Sequence, residues 1–298
     1  MQESAAVRDI ELYLGEPKEG TRQGLVSMLR GMGLKNISAF SSAERLTGAL
    51  KVRSPDALLV SSDIHANAFG LLKSVRDQDI GLNPFTVISV VIDRDNDREL
   101  TGAMRSGADD IMTSAPAAAQ LMDRLKKIAL KRLPFIAIPD YIGPDRRRPD
   151  QRKVHVKEFE AVNTLKDKIE GRASSPKQLE TEINDMMRDV RASQLQGYSQ
   201  KFGFLCRSII KAYEADEPHE TIDKTLTVLQ KSLNKASITA EKNKELKLAN
   251  VCSSFADKID EICRQRDRPT EQEIKLLRTL TQAYQMAQEK LAGADALH

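Results

Sequence analysis

Long apolar runs are missing from this sequence. None approaches the ~20 residues that a membrane-spanning helix requires, so no membrane insertion is expected. Residues 1–10 carry Glu3, Arg8 and Asp9 without an apolar core. That pattern is not a secretory signal, and a cytoplasmic location is expected. Cysteine is scarce: Cys206, Cys252 and Cys263 are the 3 in the chain. An odd, scattered set argues against a disulfide framework, and the Cys252/Cys263 separation suits one helix face rather than a zinc site. The 4 histidines, His65, His155, His219 and His298, are isolated from one another, and surface positions are expected for all of them. Basic surplus is also lacking. Net charge is +3, with 18 Lys/Arg against 17 Asp/Glu in 1–133 and 23 of each in 154–298. A nucleic-acid-binding domain concentrates basic charge on a folded face. Here the small excess falls in 134–153, and no nucleic-acid partner is expected. There is no Gly-rich phosphate loop, no helix-turn-helix with a basic recognition face and no histidine in a phosphotransfer setting.

What is present is an alternation of strand and helix. Strands are expected at Ile10–Leu14, Ile37–Phe40, Ala57–Val60, Phe85–Ile92 and Asp110–Thr113. Between and after them, helical spacing of apolar residues marks 21–32, 42–52, 69–75, 97–105 and 116–132. The continuous apolar run Ala57-Leu58-Leu59-Val60 fits a strand buried on both faces. Five strand–helix repeats imply a parallel sheet covered by helices on both sides, an α/β flavodoxin-like domain. Such a sheet carries its functional crevice at the carboxyl ends of the strands. Asp93, Asp95 and Asp97 alternate with other residues as in a calcium loop, but the required glycine and closing glutamate are absent. A solvated turn is expected there.

Several motifs then fall in a telling order. Glu16-Pro17 follows the first strand and Ser54-Pro55-Asp56 precedes the third. Gly70-Leu71-Leu72 lies in the third helix, and Ser106-Gly107-Ala108-Asp109-Asp110 leads into the fifth strand. With these motifs, residues 8–133 resemble a CheY-like response-regulator receiver domain. The resemblance implies a phosphoryl group accepted by an aspartate ending strand three. It also implies magnesium held by that aspartate and by an acidic pair ending strand one. A hydroxyl ending strand four and a lysine ending strand five would bind the phosphoryl oxygens. Counting from Asp56 puts the acceptor at Ser61, and counting back from Gly70 puts it at Ser62. Asp63 is the neighbouring candidate phosphoacceptor. The acidic pair maps to Leu14 and Gly15, with Glu16 beside them. The hydroxyl position is Ile92 and the lysine position is Ser114. Magnesium needs oxygen ligands that include carboxylate, and phosphoryl transfer needs facing positive charge. With these parts depleted, a degenerate pseudo-receiver is expected, without a cofactor. Mg2+ on Glu16 and Asp63 is expected only if the domain is active.

Residues 134–153 contain Pro134, Pro139, Gly143-Pro144 and Pro149, a density that opposes helix and reads as a solvated linker. Phe135–Ile138 offers an edge strand, and Arg146-Arg147-Arg148 offers a site for an acidic partner or a phosphate. From 154 to 298 the pattern is helical. Ser175-Pro176 starts a helix, Pro218 starts another, and Thr270-Glu271-Gln272-Glu273 is a capping box. An all-α helical bundle is expected. Its last stripe, Ile274, Leu277, Tyr284 and Leu291, together with Met187 and Met286, is expected to face a partner or a second copy.

The functional expectation is a bacterial two-component-type signalling protein, not an enzyme. Its receiver-like domain docks a signalling partner, and its helical domain serves output or homo-oligomerisation. One alternative is an active response regulator phosphorylated on Asp63. A second is a phosphatase or other enzyme acting through the helical domain.

Overall fold

The computed structural model describes residues 7–92, 97–113, 118–148, 156–172, 174–215, 217–265 and 270–295. The chain forms two compact units, residues 1–137 with 141–187 and residues 138–140 with 188–298.

The first unit is built on five parallel strands: β1 (Glu11–Gly15), β2 (Asn36–Phe40), β3 (Ala57–Ser61), β4 (Val87–Val91) and β5 (Asp110–Met112). Their spatial order is β2-β1-β3-β4-β5. This is the doubly wound order anticipated from the alternation of strand and helix. Five helices return the chain between and after the strands: α1 (Glu19–Gly31), α2 (Ala43–Val52), α3 (Ala68–Arg76), α4 (Asp97–Arg105) and α5 (Ala118–Leu130). Alternation along each strand sends side chains to both faces. Leu12, Leu14, Leu59, Val87 and Met112 pack with Leu25 and Leu29 of α1 and with Leu121 and Leu125 of α5. Tyr13, Leu58, Val60, Ile88 and Val90 pack on the other face with Leu46 and Leu50 of α2, Leu72 and Val75 of α3, and Ala103 of α4.

The expected solvated linker is folded where the structure describes it. β6 (Phe135–Ile138), β7 (Tyr141–Pro144) and β8 (Glu158–Phe159) form a second sheet in the order β7-β6-β8. β6 and β8 are antiparallel, with Phe135 opposite Phe159. A short helix follows, α6 (Thr164–Ile169). Asn163 caps it through Lys166 N at 3.1 Å and also donates to Ala129 O at 3.0 Å, at the end of α5. Leu165 is buried in the core with Leu125 and Ala129. Lys168 pairs with buried Asp56 at 2.7 Å. The amino-terminal unit therefore extends well past the expected boundary at 133. Proline density misled because Pro134, Pro139 and Pro144 sit at strand ends and turns, where a missing N–H costs little.

The second unit is helical. α7 (Pro176–Glu214) is one continuous helix of 39 residues. It is followed by α8 (His219–Lys242), α9 (Leu246–Gln265) and α10 (Glu271–Asp295). Both capping signals form. Ser175 Oγ accepts from Gln178 N at 3.3 Å, and Thr270 N donates to Glu273 at 2.7 Å. The unit boundary falls inside α7, after Met187. Phe202 lies at the centre of the helical core, 5.7 Å from the Tyr198 ring and 5.0 Å from the Tyr284 ring. The expected interface stripe is core where it is described: Leu277 and Tyr284 are buried, and so is Met187. Ile274 is half-buried. The Leu291 side chain lies outside the described residues, while Met286 is exposed. Tyr284 donates its hydroxyl to Leu195 O at 2.9 Å, and burial raises its pKa. Cys206, Cys252 and Cys263 are free thiols.

Candidate functional site

The carboxyl ends of β1, β3 and β4 lie side by side, with Gly15 paired to Val60 and Ser61 to Val91. The space in front of Gly15 is apolar. A Cβ there would lie 2.7 Å from Ile64 Cδ1 and 3.1 Å from Leu46 Cδ2. Glu16 is buried, and its carboxylate accepts from Lys18 N at 2.8 Å, closing its own loop. Ser61 ends β3, and its Oγ accepts from Asp63 N at 3.3 Å, capping the short turn that follows. Ser62 donates its hydroxyl to Glu99 of α4 at 2.7 Å. Asp63 is half-exposed and pairs with Lys18 Nζ at 2.6 Å. Ile92 is buried, and its N–H donates to Met112 O at 2.8 Å. His65 is exposed, and its Nδ1 accepts from Asn67 N at 2.9 Å. Asp93, Asp95 and Ser114 lie outside the described residues.

The structure thus brings Gly15, Glu16, Ser61, Ser62, Asp63 and Ile92 to one end of the sheet. Lys18 and Glu99, their partners, were not anticipated. Lys18 could have been suspected as the cation nearest Glu16 in sequence. Glu99 carries no local signal, because its serine lies 37 residues away. Among the described residues, the Glu16 carboxylate accepts a backbone N–H, and the half-exposed Asp63 carboxylate pairs with an ammonium group. Among the described residues no three His, Cys, Asp or Glu side chains are grouped to hold a metal.

A second cluster lies at the opposite end of the sheet, where β4 and β5 begin. Asp109 is buried between Arg76 at 2.7 Å and Arg132 at 2.8 Å, and it also accepts from Ile88 N at 2.8 Å. Burial alone would raise its pKa. Arg132 and Arg76 overcome that and hold it below the usual carboxylate value. Burial lowers Arg76 to about 10, against the opposing pull of Asp109. Arg76 also donates to Gly107 O, Pro84 O and Thr86 O at 2.9, 2.6 and 2.7 Å. The Phe135 ring lies under both guanidinium groups, 5.1 Å from Arg76 and 4.6 Å from Arg132. The Gly-Ala-Asp-Asp motif is therefore partly a packing device. Asp109 anchors two arginines, while Asp110 pairs with Arg124 at 2.6 Å.

The order β2-β1-β3-β4-β5, all parallel, decides the fold of this half of the chain. The amino-terminal unit has a doubly wound, flavodoxin-like α/β fold. Among solved structures, this chain matches the response regulator DrrB of Thermotoga maritima, an OmpR/PhoB homologue. That match has 12% identity over 41% of this chain and 53% of that one, with a TM-score of 0.35, so it spans about half of that protein. A signal receiver domain of two-component signal transduction (histidine kinase) from Clostridium thermocellum matches at 13% identity. It covers 40% of this chain and 97% of that one, with a TM-score of 0.36. No protein-family model matches the sequence, and no curated protein matches it. The helical half is outside both structural matches.

Proposed function

We propose that the chain is a non-enzymatic, two-component-type signalling protein of the cytoplasm. Its receiver-like unit docks other signalling proteins without being phosphorylated, and its helical unit serves output. The observation that carries this reading is the commitment of the strand-end groups. Phosphoryl transfer to a carboxylate is catalysed by positioning and by positive charge at the developing oxygens, supplied in large part by metal. Here Ile64 and Leu46 crowd Gly15, Ile92 stands at the hydroxyl position, and Glu16 closes its own loop. No helix among the described residues is long and apolar enough to cross a membrane, which is compatible with the same reading.

One observation favours a second reading. Lys18 sits 2.6 Å from Asp63, and a lysine beside a carboxylate is what a phosphoacceptor site contains. In that reading Asp63 accepts a phosphoryl group and alters the helical unit. The two are separated by incubating the full chain with acetyl phosphate and magnesium and then measuring intact mass. No phosphoryl adduct is expected. An adduct that disappears in Asp63→Asn overturns the docking reading.

A further inference from the structure

The helical unit holds a tripeptide from far away in the sequence. Residues 138–140 belong to the same compact unit as 188–298. Gln194, Gly197, Tyr198 and Lys201 recur on α7 at the spacing that lines one helix face. Pro139 lies against Gly197, where a Cβ would come within 2.7 Å of the ring Cδ and 3.1 Å of Cγ. A proline ring cannot bend aside, so the glycine makes its seat. Gln194 donates to Ile138 O at 3.3 Å, and Tyr198 donates its hydroxyl to Pro139 O at 2.9 Å. Both side chains are buried, so their polar atoms need these partners. The Asp140 carboxylate pairs with Lys201 of α7 and with Lys235 of α8, the latter at 3.2 Å. Burial acts to raise the Asp140 pKa, and the two lysines outweigh it and hold it low.

Each feature of the tripeptide has a dedicated counterpart: a gap for the ring, donors for two carbonyls, and two cations for the carboxylate. Ile138 is exposed, so its side chain is not selected. We propose that Gln194, Gly197, Tyr198, Lys201 and Lys235 form a peptide-recognition site for a proline–acidic segment. Ile138-Pro139-Asp140 fills it in cis, and a partner's Pro-Asp or Pro-Glu segment is the class of ligand that replaces it. The inference stands on the helical unit alone and does not depend on whether Asp63 is phosphorylated. Asp140 and Lys235 are each about half exposed. Exposed ion pairs are weak and screened by salt, so the cis segment is held reversibly. Its effective concentration is on the order of millimolar, which makes it a competitor that an outside segment must beat.

The test uses the full-length protein and a fluorescent peptide spanning residues 137–142. Asp140→Lys expels the cis segment by charge and leaves the groove intact. Gly197→Ala fills the proline seat, and alanine is a better helix former than glycine, so α7 is retained. The peptide is expected to bind Asp140→Lys at least ~10-fold more tightly than wild type, because the cis competitor is gone. Binding should fall with added salt and vanish when Gly197→Ala is combined with Asp140→Lys. Pro139→Ala combined with Asp140→Ala removes both the ring and the charge without adding a like charge, and gives a second emptied form that does not depend on Asp140→Lys folding. Absence of binding to both emptied forms overturns the proposal, and so does binding that survives Gly197→Ala.

Discussion

Gly107 and Ile142 meet backbone to backbone. A Cβ at Gly107 would lie 2.2 Å from Ile142 O, and the glycine has φ +78°. Its carbonyl accepts from Arg76 at 2.9 Å, and the next two carbonyls, of Ala108 and Asp109, accept from Arg146. Arg147 in turn pairs with buried Asp145 at 2.9 Å. The turn that carries the receiver-like signature is thus also the seat of the Tyr141–Arg147 segment. The arginines there are occupied structurally, at Asp109 O and at Asp145, rather than held out as a basic tail.

Gly107→Val should release that segment. The substitution combines an unfavourable φ, costing about 1–3 kcal/mol, with a collision against backbone that cannot rotate away. Urea unfolding should show the loss. Trypsin should cut at Arg146 and Arg147 slowly in wild type and much faster in the variant. Equal cleavage rates would mean that the segment is not held by this contact.

Removing the charge of Asp109 should be far worse than breaking the exposed pair at the other end of the sheet. Asp109→Asn leaves Arg76 and Arg132 buried without a counter-ion, at a cost of about 3–5 kcal/mol. Lys18→Ala removes a solvent-exposed partner of Asp63 and should cost no more than ~1 kcal/mol. Thermal melts of the two variants check the order. Comparable losses would contradict the assignment of Asp109 as the anchor.

The acid response follows from the same carboxylate. The folded-state pKa of Asp109 lies below its ordinary value. Its stabilising contribution is therefore full above an unfolded value of about 3.9 and is lost as pH falls through the lower folded value. Stability from Asp109 should be flat from neutral pH to about 5 and should decline steeply only below about 4. Asp109→Asn should blunt that decline. An acid transition unchanged in the variant would assign it to other groups.

The five-repeat architecture was legible because β1, β3 and β4 carry apolar runs and the helices between the strands carry periodic stripes. Gly15, mapped to the acidic pair, and Ser61, Ser62 and Ile92, reached by counting from Asp56, Gly70 and Gly107, do lie at one end of the sheet. Their partners were not legible. Ser62 meets Glu99, and Asp63 meets Lys18 across 45 residues, through contacts that only the fold creates. β8 and α6 escaped notice because a strand of 2 residues and a helix of 6 leave almost no periodic signal. Leu277 and Tyr284 were read as an interface because an apolar stripe looks the same whether it meets another chain or its own core. The proline-rich segment 134–153 was read as a solvated linker, although Phe135 and Ile142 within it are buried.

A helix core with one aromatic hub should fail when the hub is removed. Phe202 contacts Tyr198 and Tyr284, and Tyr284 is tied to Leu195 O. Phe202→Ala should cost about 3–5 kcal/mol, whereas Phe204→Ala, two residues on and largely exposed, should change stability little. Hydrogen exchange along α7 resolves the two. Similar protection in both variants would remove Phe202 from the centre of the core.

The boundary of the receiver-like unit can be tested by comparing fragments 7–133 and 7–172. The shorter one ends at the bound expected from the sequence. It keeps all five strands of the sheet and both of its faces, yet it loses the Phe135 ring that packs against the Arg76 and Arg132 guanidinium groups. It also loses the Val162 carbonyl that accepts from Arg132 at 3.0 Å, and the Lys168 ammonium that neutralises buried Asp56. Leu165, fully buried, is removed from the core it shares with Leu125 and Ala129. Each loss leaves a buried charge or an apolar surface uncovered, and burying an unpaired charge alone costs several kcal/mol. A single small domain has only about 5–15 kcal/mol of stability to lose. The 7–172 fragment should therefore melt cooperatively well above the 7–133 fragment, which should be poorly soluble or partly unfolded. If the two melt alike, residues 134–172 are an ornament on a self-sufficient domain, and the tether expected from the proline content is the better description after all.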